Sequence, residues 1–147
     1  MKQLEATTER SGGRRLALFK KLKEALVPHA RAEEKVLYDP MKDSEVKDAD
    51  DLSFEACEEH GVADRLIAEI DKTSPADKRW TALLTVLKES LTHHIEEEEE
   101  DLFKKARKSF TSEEAEAMAE RFSELKKDYL KELKAGGKLK QPLSKSL

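Results

Sequence analysis

Apolar residues recur along this chain at alternating steps of three and four, the spacing that lines one face of an α-helix. From Arg14 to Tyr38 the inward positions are Phe19, Leu22, Leu26, His29, Glu33 and Val36 or Leu37. From about Asp50 they are Ala56, His60, Ala63, Ile67 and Ile70, and a long stretch from Pro75 to about Arg107 carries Trp80, Leu84, Leu87, Leu91, His94, Glu98 and Leu102. A last helix shows Met118, Phe122, Leu125, Tyr129 and Leu133. The punctuation fits. Ser11-Gly12-Gly13 stops a short helical fragment over residues 1–10, Pro40 closes the next helix, and residues 39–49 read as a polar loop with Asp50 or Asp51 capping the helix after it. Ser74 and Pro75 supply a cap and a first helical position, Thr111 and Glu114 a capping box, and Gly136-Gly137 a stop. Pro28, inside the Arg14–Tyr38 helix, removes one backbone donor and is expected to bend it just before His29. The pattern predicts an all-α bundle.

Five positions on these stripes are not apolar. His29 and Glu33 stand four apart on one helix, His94 and Glu98 four apart on another, and His60 sits on the inward face of a third. Residues four apart share a helix face, so each pair aims an imidazole and a carboxylate at one point inside the bundle. Ionised glutamates are costly to bury unless a cation or a partner compensates them, so packing alone does not explain Glu33 and Glu98. The bland reading is a rotated stripe with both glutamates solvated, since Glu34, Glu96, Glu97, Glu99, Glu100 and Asp101 offer carboxylates nearby. Three helices that each place a histidine on the core face, two of them with an i+4 glutamate, favour a metal site at His29, Glu33, His60, His94 and Glu98. His93 lies about 100° around the helix from His94 and is expected outside or behind the site. Asp64, four residues after His60, could reach the same cavity and is read equally as a surface charge or an acceptor that orients an imidazole. Cys57 is read as a small buried thiol, with zinc ligation as its alternative.

Composition narrows the classes. A chain of 147 residues with 41% charged residues fits one domain of long amphipathic helices. Lysine plus arginine (28) nearly balance aspartate plus glutamate (32), leaving a net charge of -4 that offers no dedicated nucleic-acid surface. No apolar run approaches the ~18 residues of a membrane span and the amino terminus lacks the apolar core of a signal peptide, so the expectation is a cytoplasmic protein with no membrane partner. A single cysteine cannot form an internal disulfide.

The segments Val27-Pro28-His29-Ala30-Arg31-Ala32-Glu33-Glu34-Lys35-Val36-Leu37-Tyr38, Glu58-Glu59-His60 and His93-His94-Ile95-Glu96-Glu97-Glu98-Glu99 resemble the hemerythrin-like (HHE cation-binding) domain family, in order from Met1 to about Phe122. The resemblance implies an up-down four-helix bundle (hemerythrin-like) around a non-haem di-iron centre, with a truncated first helix and an additional C-terminal helix. Residues 1–135 would form the bundle and 136–147 a flexible basic tail. Glu33 and Glu98 would match the bridging carboxylates, and His29, His60 and His94 the terminal nitrogen ligands. Imidazole and carboxylate suit iron, with manganese or zinc also accommodated by ligand type. Two departures stand out. Met1-Lys2-Gln3-Leu4-Glu5 resembles only the end of the family's first helix, whose histidine would lie upstream of Met1, and Asp64 stands where oxygen-carrying hemerythrins have another histidine. These departures admit a mononuclear site and an exposed apolar groove through which two copies could pair. The function implied is an iron protein that meets oxygen, peroxide or nitric oxide for binding, sensing or iron handling, with at most incidental peroxide or redox activity. The alternatives are a metal-depleted bundle acting as an interaction module and a structural zinc protein using Cys57.

Overall fold

The computed structural model describes residues 1–136; the expected basic tail lies outside the described residues, apart from Gly136. The chain forms α1 (Lys2–Glu5), α2 (Gly12–Glu33), α3 (Asp39–Lys42), α4 (Ala49–Lys72), α5 (Lys78–Glu97), α6 (Phe103–Ser109) and α7 (Ser112–Lys134), with no strand among the described residues. Two π-helical turns, π1 (Glu34–Tyr38) and π2 (Glu98–Leu102), continue α2 and α5. The long helices alternate in direction, α2 lying against α7 and α4 against α5, so the architecture is the all-α bundle that the periodicity predicts.

Along α2, α4 and α5 the interior is layered. At one end Leu4, Phe19, Ala63, Ile67, Ile70, Trp80, Leu84 and Leu87 form an apolar cluster, with the Phe19 and Trp80 rings edge to face at 6.0 Å between centroids. At the other end Tyr38, Met41, Ala49, Ala56, Cys57 and Leu102 form a second cluster. Glu33, His60, His94 and Glu98 are buried between them. Beyond the apolar end Arg15, 2% exposed, ties the N-terminal turn to the α4–α5 turn. Its guanidinium donates to Thr7 Oγ1 (2.9 Å), Thr7 O (3.1 Å) and Pro75 O (2.8 Å), and stacks 4.8 Å over Trp80.

The helix ends correct several expectations. The first fragment is helical only over Lys2–Glu5, and α2 begins at Gly12. The stretch read as loop from residue 39 opens with a one-turn helix, because Pro40 falls in a first turn, where its missing donor costs nothing. The residue before α4 is Asp48, left-handed at φ 63°, and Asp50 and Asp51 lie inside the first turn. α5 starts at Lys78 with Asp77 as its cap, accepting from the Arg79 amide at 2.8 Å; Ser74 Oγ instead accepts from Ala76 N within the preceding turn. The Thr111–Glu114 capping box forms as expected, and α7 lays Met118, Phe122, Leu125, Tyr129 and Leu133 half-buried. Between α2 and α5, beside α1, an open groove is lined by Met1, Leu22, Leu26, Leu91 and Ile95.

Candidate metal centre

The polar layer is assembled by three helices. α4 supplies His60, α5 and π2 supply His94 and Glu98, and α2 with π1 supplies Glu33 and Tyr38. Tyr38 is the residue that the periodicity missed. In an α-helix a residue five positions after Glu33 would point about 140° away from it. The i→i+5 bonding of π1 closes that angle and brings the Tyr38 hydroxyl to 2.6 Å from Glu33 Oε1. Nothing in the sequence marks the widened turn.

Around the Tyr38 hydroxyl the donors crowd together. His60 Nε2 lies at 3.4 Å and His94 Nε2 at 3.2 Å, and Glu98 Oε1 is in direct contact. His60 Nε2 is 3.0 Å from His94 Nε2 and 3.4 Å from Glu33 Oε1, and His94 Nε2 is 3.5 Å from Glu98 Oε1. Bonds of about 2.1 Å to a first-row ion put donors at a right angle about 3.0 Å apart and tetrahedral neighbours about 3.4 Å apart. The spacing is that of a coordination polyhedron, and Glu33, His60 and His94 alone form a buried triplet able to hold an ion.

The imidazoles are oriented from behind. His60 Nδ1 donates to Glu34 Oε1 at 2.9 Å, and His94 Nδ1 donates to Glu59 Oε1 at 3.2 Å, which turns both Nε2 electron pairs inward. Glu34, fully buried, is held by Arg31 Nη2 at 3.2 Å, and the same guanidinium nitrogen reaches Asp64 Oδ2 at 2.7 Å. Asp64 therefore acts on His60 through two intermediaries, and the orienting groups are Glu34, which the sequence left among its surplus carboxylates, and Glu59, to which it assigned no role.

The field at this point is strongly negative. Burial opposes it, yet hydrogen bonds to Glu33 and Glu98 push His94 up to about 10. Burial would raise Glu33, but the His29, His60 and His94 imidazoles hold it well below the usual carboxylate range. Burial and the two carboxylates drive Tyr38 far above an ordinary phenol, so it donates its proton to them. The His94 and Tyr38 shifts reflect the two buried carboxylates and the Glu33 shift the imidazoles around it, and the donor set of two imidazoles, two carboxylates and a phenol fits a first-row transition metal.

Four of the five residues read from the sequence, Glu33, His60, His94 and Glu98, meet in this layer, and the solvated-glutamate reading fails because Glu33 is 6% and Glu98 7% exposed. His29 stands one carboxylate away. Its Nε2 is 3.3 Å from Glu33 Oε2, its side chain is half exposed, and its ring packs edge to face on Phe122 of α7. His93 points outward, 3.1 Å from Glu97. Cys57 is buried in the apolar cluster beside Tyr38, and burial pushes its thiol up to about 12. Beside the layer lies a cavity of about 120 Å³ lined by Leu26, Ala30, Ala63, Ile67 and Leu91, onto which His29, Glu33, His60, His94 and Glu98 face.

Among the described residues no helix is long and apolar enough to cross a membrane. Comparison with curated proteins and with solved structures gives no match. The family description Hemerythrin HHE cation binding domain matches residues 1–106, which carry all five sequence-derived site residues. The chain belongs to the hemerythrin HHE cation-binding family, a metal-binding helical protein.

Proposed function

We propose that this chain is a non-haem iron protein whose metal is held by Glu33, His60, His94 and Glu98 and meets a small ligand, oxygen, peroxide or nitric oxide, in sensing or iron handling. The observation that carries this reading is the pairing of a buried donor cluster with an apolar cavity of about 120 Å³ on its open side. A cavity of that size has room for a small guest such as a diatomic molecule or peroxide beside the donors. The aliphatic lining favours an apolar guest and keeps competing water away. Iron supplies ligand binding and electron transfer, while the chain supplies orientation and a dry pocket. Glu34 and Glu59 engage Nδ1 of His60 and His94 and so hold Nε2 of each ring inward as the donor atom. We place the protein in the cytoplasm without a nucleic-acid partner, consistent with its balanced charge, and the groove between α2 and α5 as a surface where two copies pair. Sedimentation velocity across a concentration series tests the pairing, a strict monomer refuting it.

The function is tested with protein purified without a metal-affinity tag, loaded anaerobically with ferrous iron and titrated with nitric oxide while the visible spectrum is recorded. A saturable change that Ala63→Leu weakens by filling the cavity, with iron content unchanged, supports the reading. Iron that binds but gives no response to nitric oxide or oxygen refutes the ligand-binding role.

A further inference from the structure

We propose that Tyr38 is itself a metal ligand, and that the centre holds one ion, with the Tyr38 oxygen on the side opposite the cavity. The inference rests on the metal-binding reading above and specifies its coordination. Four observations carry it. First, the Tyr38 oxygen is within 3.4 Å of a donor atom from each of Glu33, His60, His94 and Glu98, so an ion bound by those four lies within bonding reach of the phenol. Second, the ring is fully buried in the apolar cluster with Met41, Ala49, Ala56, Cys57 and Leu102, so it has no room to swing aside when an ion arrives. Third, Glu33, His60, His94 and Glu98 line the cavity whereas Tyr38 does not, which sets the phenol behind the ion and leaves the cavity side open for a guest.

The fourth observation concerns number. On the far side of Glu33 the only imidazole among the described residues is His29, half exposed, and the nearby Asp64 carboxylate is engaged at 2.7 Å by the Arg31 guanidinium, which lines the same cavity. Asp64, so engaged, is not free to ligate a second ion. Charge balance agrees with a single trivalent ion. The five ligating groups, two carboxylates, one phenolate and two imidazoles, carry three negative charges, which a ferric ion offsets. On uptake the Tyr38 O–H bond breaks, the oxygen–metal bond forms, and the proton leaves to the buffer.

The test loads the full chain with ferrous iron, oxidises it with ferricyanide, and records iron per chain, the visible spectrum and the resonance Raman spectrum. The expected result is one iron per chain, a phenolate-to-ferric band with tyrosinate ring modes, and loss of both signals in Tyr38→Phe. Chelator-driven iron release should accelerate in that variant by more than the about 10–100-fold that an outer orienting partner is worth. Two irons per chain, or one iron without tyrosinate modes in the unaltered protein, overturns the inference while leaving the metal-binding reading intact. No iron in the unaltered protein overturns that parent reading and this inference together. The Raman spectrum of the unaltered chain decides the matter even if Tyr38→Phe fails to fold.

Discussion

Two layers of this bundle use the same three helices and opposite chemistry. Around Phe19, Ile67, Trp80 and Leu87 the interior is aliphatic and aromatic, while about two to five turns further along the same stripes Glu33, His60, His94 and Glu98 replace it with charge. The apolar layer needs only α-helical periodicity to close. The polar layer needs more: a widened π turn after each glutamate-bearing helix, a tyrosine drawn inward by one of them, and carboxylates behind both histidines.

That contrast explains which residues were legible in the sequence. Trp80, Leu84 and Leu87 declared themselves by spacing alone, and the same register extends to His94 and Glu98, because a stripe does not shift within a regular helix. The membership of Glu33 and His60 followed likewise. Tyr38 could not, since its position depends on a turn with no sequence signature. Glu34 and Glu59 were visible as letters in acidic runs, but which carboxylate reaches an imidazole from behind is decided by how α2, α4 and α5 sit against one another. His29 shows the converse. Its spacing to Glu33 was correct, yet it sits at the edge of the layer, half exposed against α7.

Substitutions should separate the layers, the largest effects coming from burial. Trp80→Ala, at a fully buried ring, is expected to lose about 3–5 kcal/mol in urea unfolding. The surviving folded fraction should keep its metal stoichiometry. Arg31→Met should cost a similar ~3–5 kcal/mol, since it leaves Glu34 buried and Asp64 mostly so without their cation. A loss below about 1 kcal/mol would mean that these charges are solvated rather than buried. Glu34→Gln keeps the shape but weakens the acceptor behind His60, so metal affinity should fall about 10–100-fold with little change in the unfolding midpoint. Equal affinity in competition with a chelator would remove Glu34 from the site's support. Cys57→Ala should leave metal content unchanged, and iodoacetamide at pH 8 should modify the folded thiol at least ~100-fold more slowly than a free cysteine, because a thiol pushed up to about 12 is almost wholly protonated there. Glu100→Ala, on the solvated side of π2, should change neither stability nor metal content. Loss of metal there would mean that the helix register assigned to Glu98 is wrong.

Metal content per chain tests the polar layer most directly, measured by inductively coupled plasma mass spectrometry on untagged protein after iron loading and desalting, alongside Glu33→Ala and His60→Ala. Stoichiometric iron in the unaltered chain, with near-complete loss in both variants while their helical circular dichroism persists, is the predicted result. Iron retained equally by all three proteins, or absent from the unaltered one, would contradict the assignment of this buried layer as a metal centre.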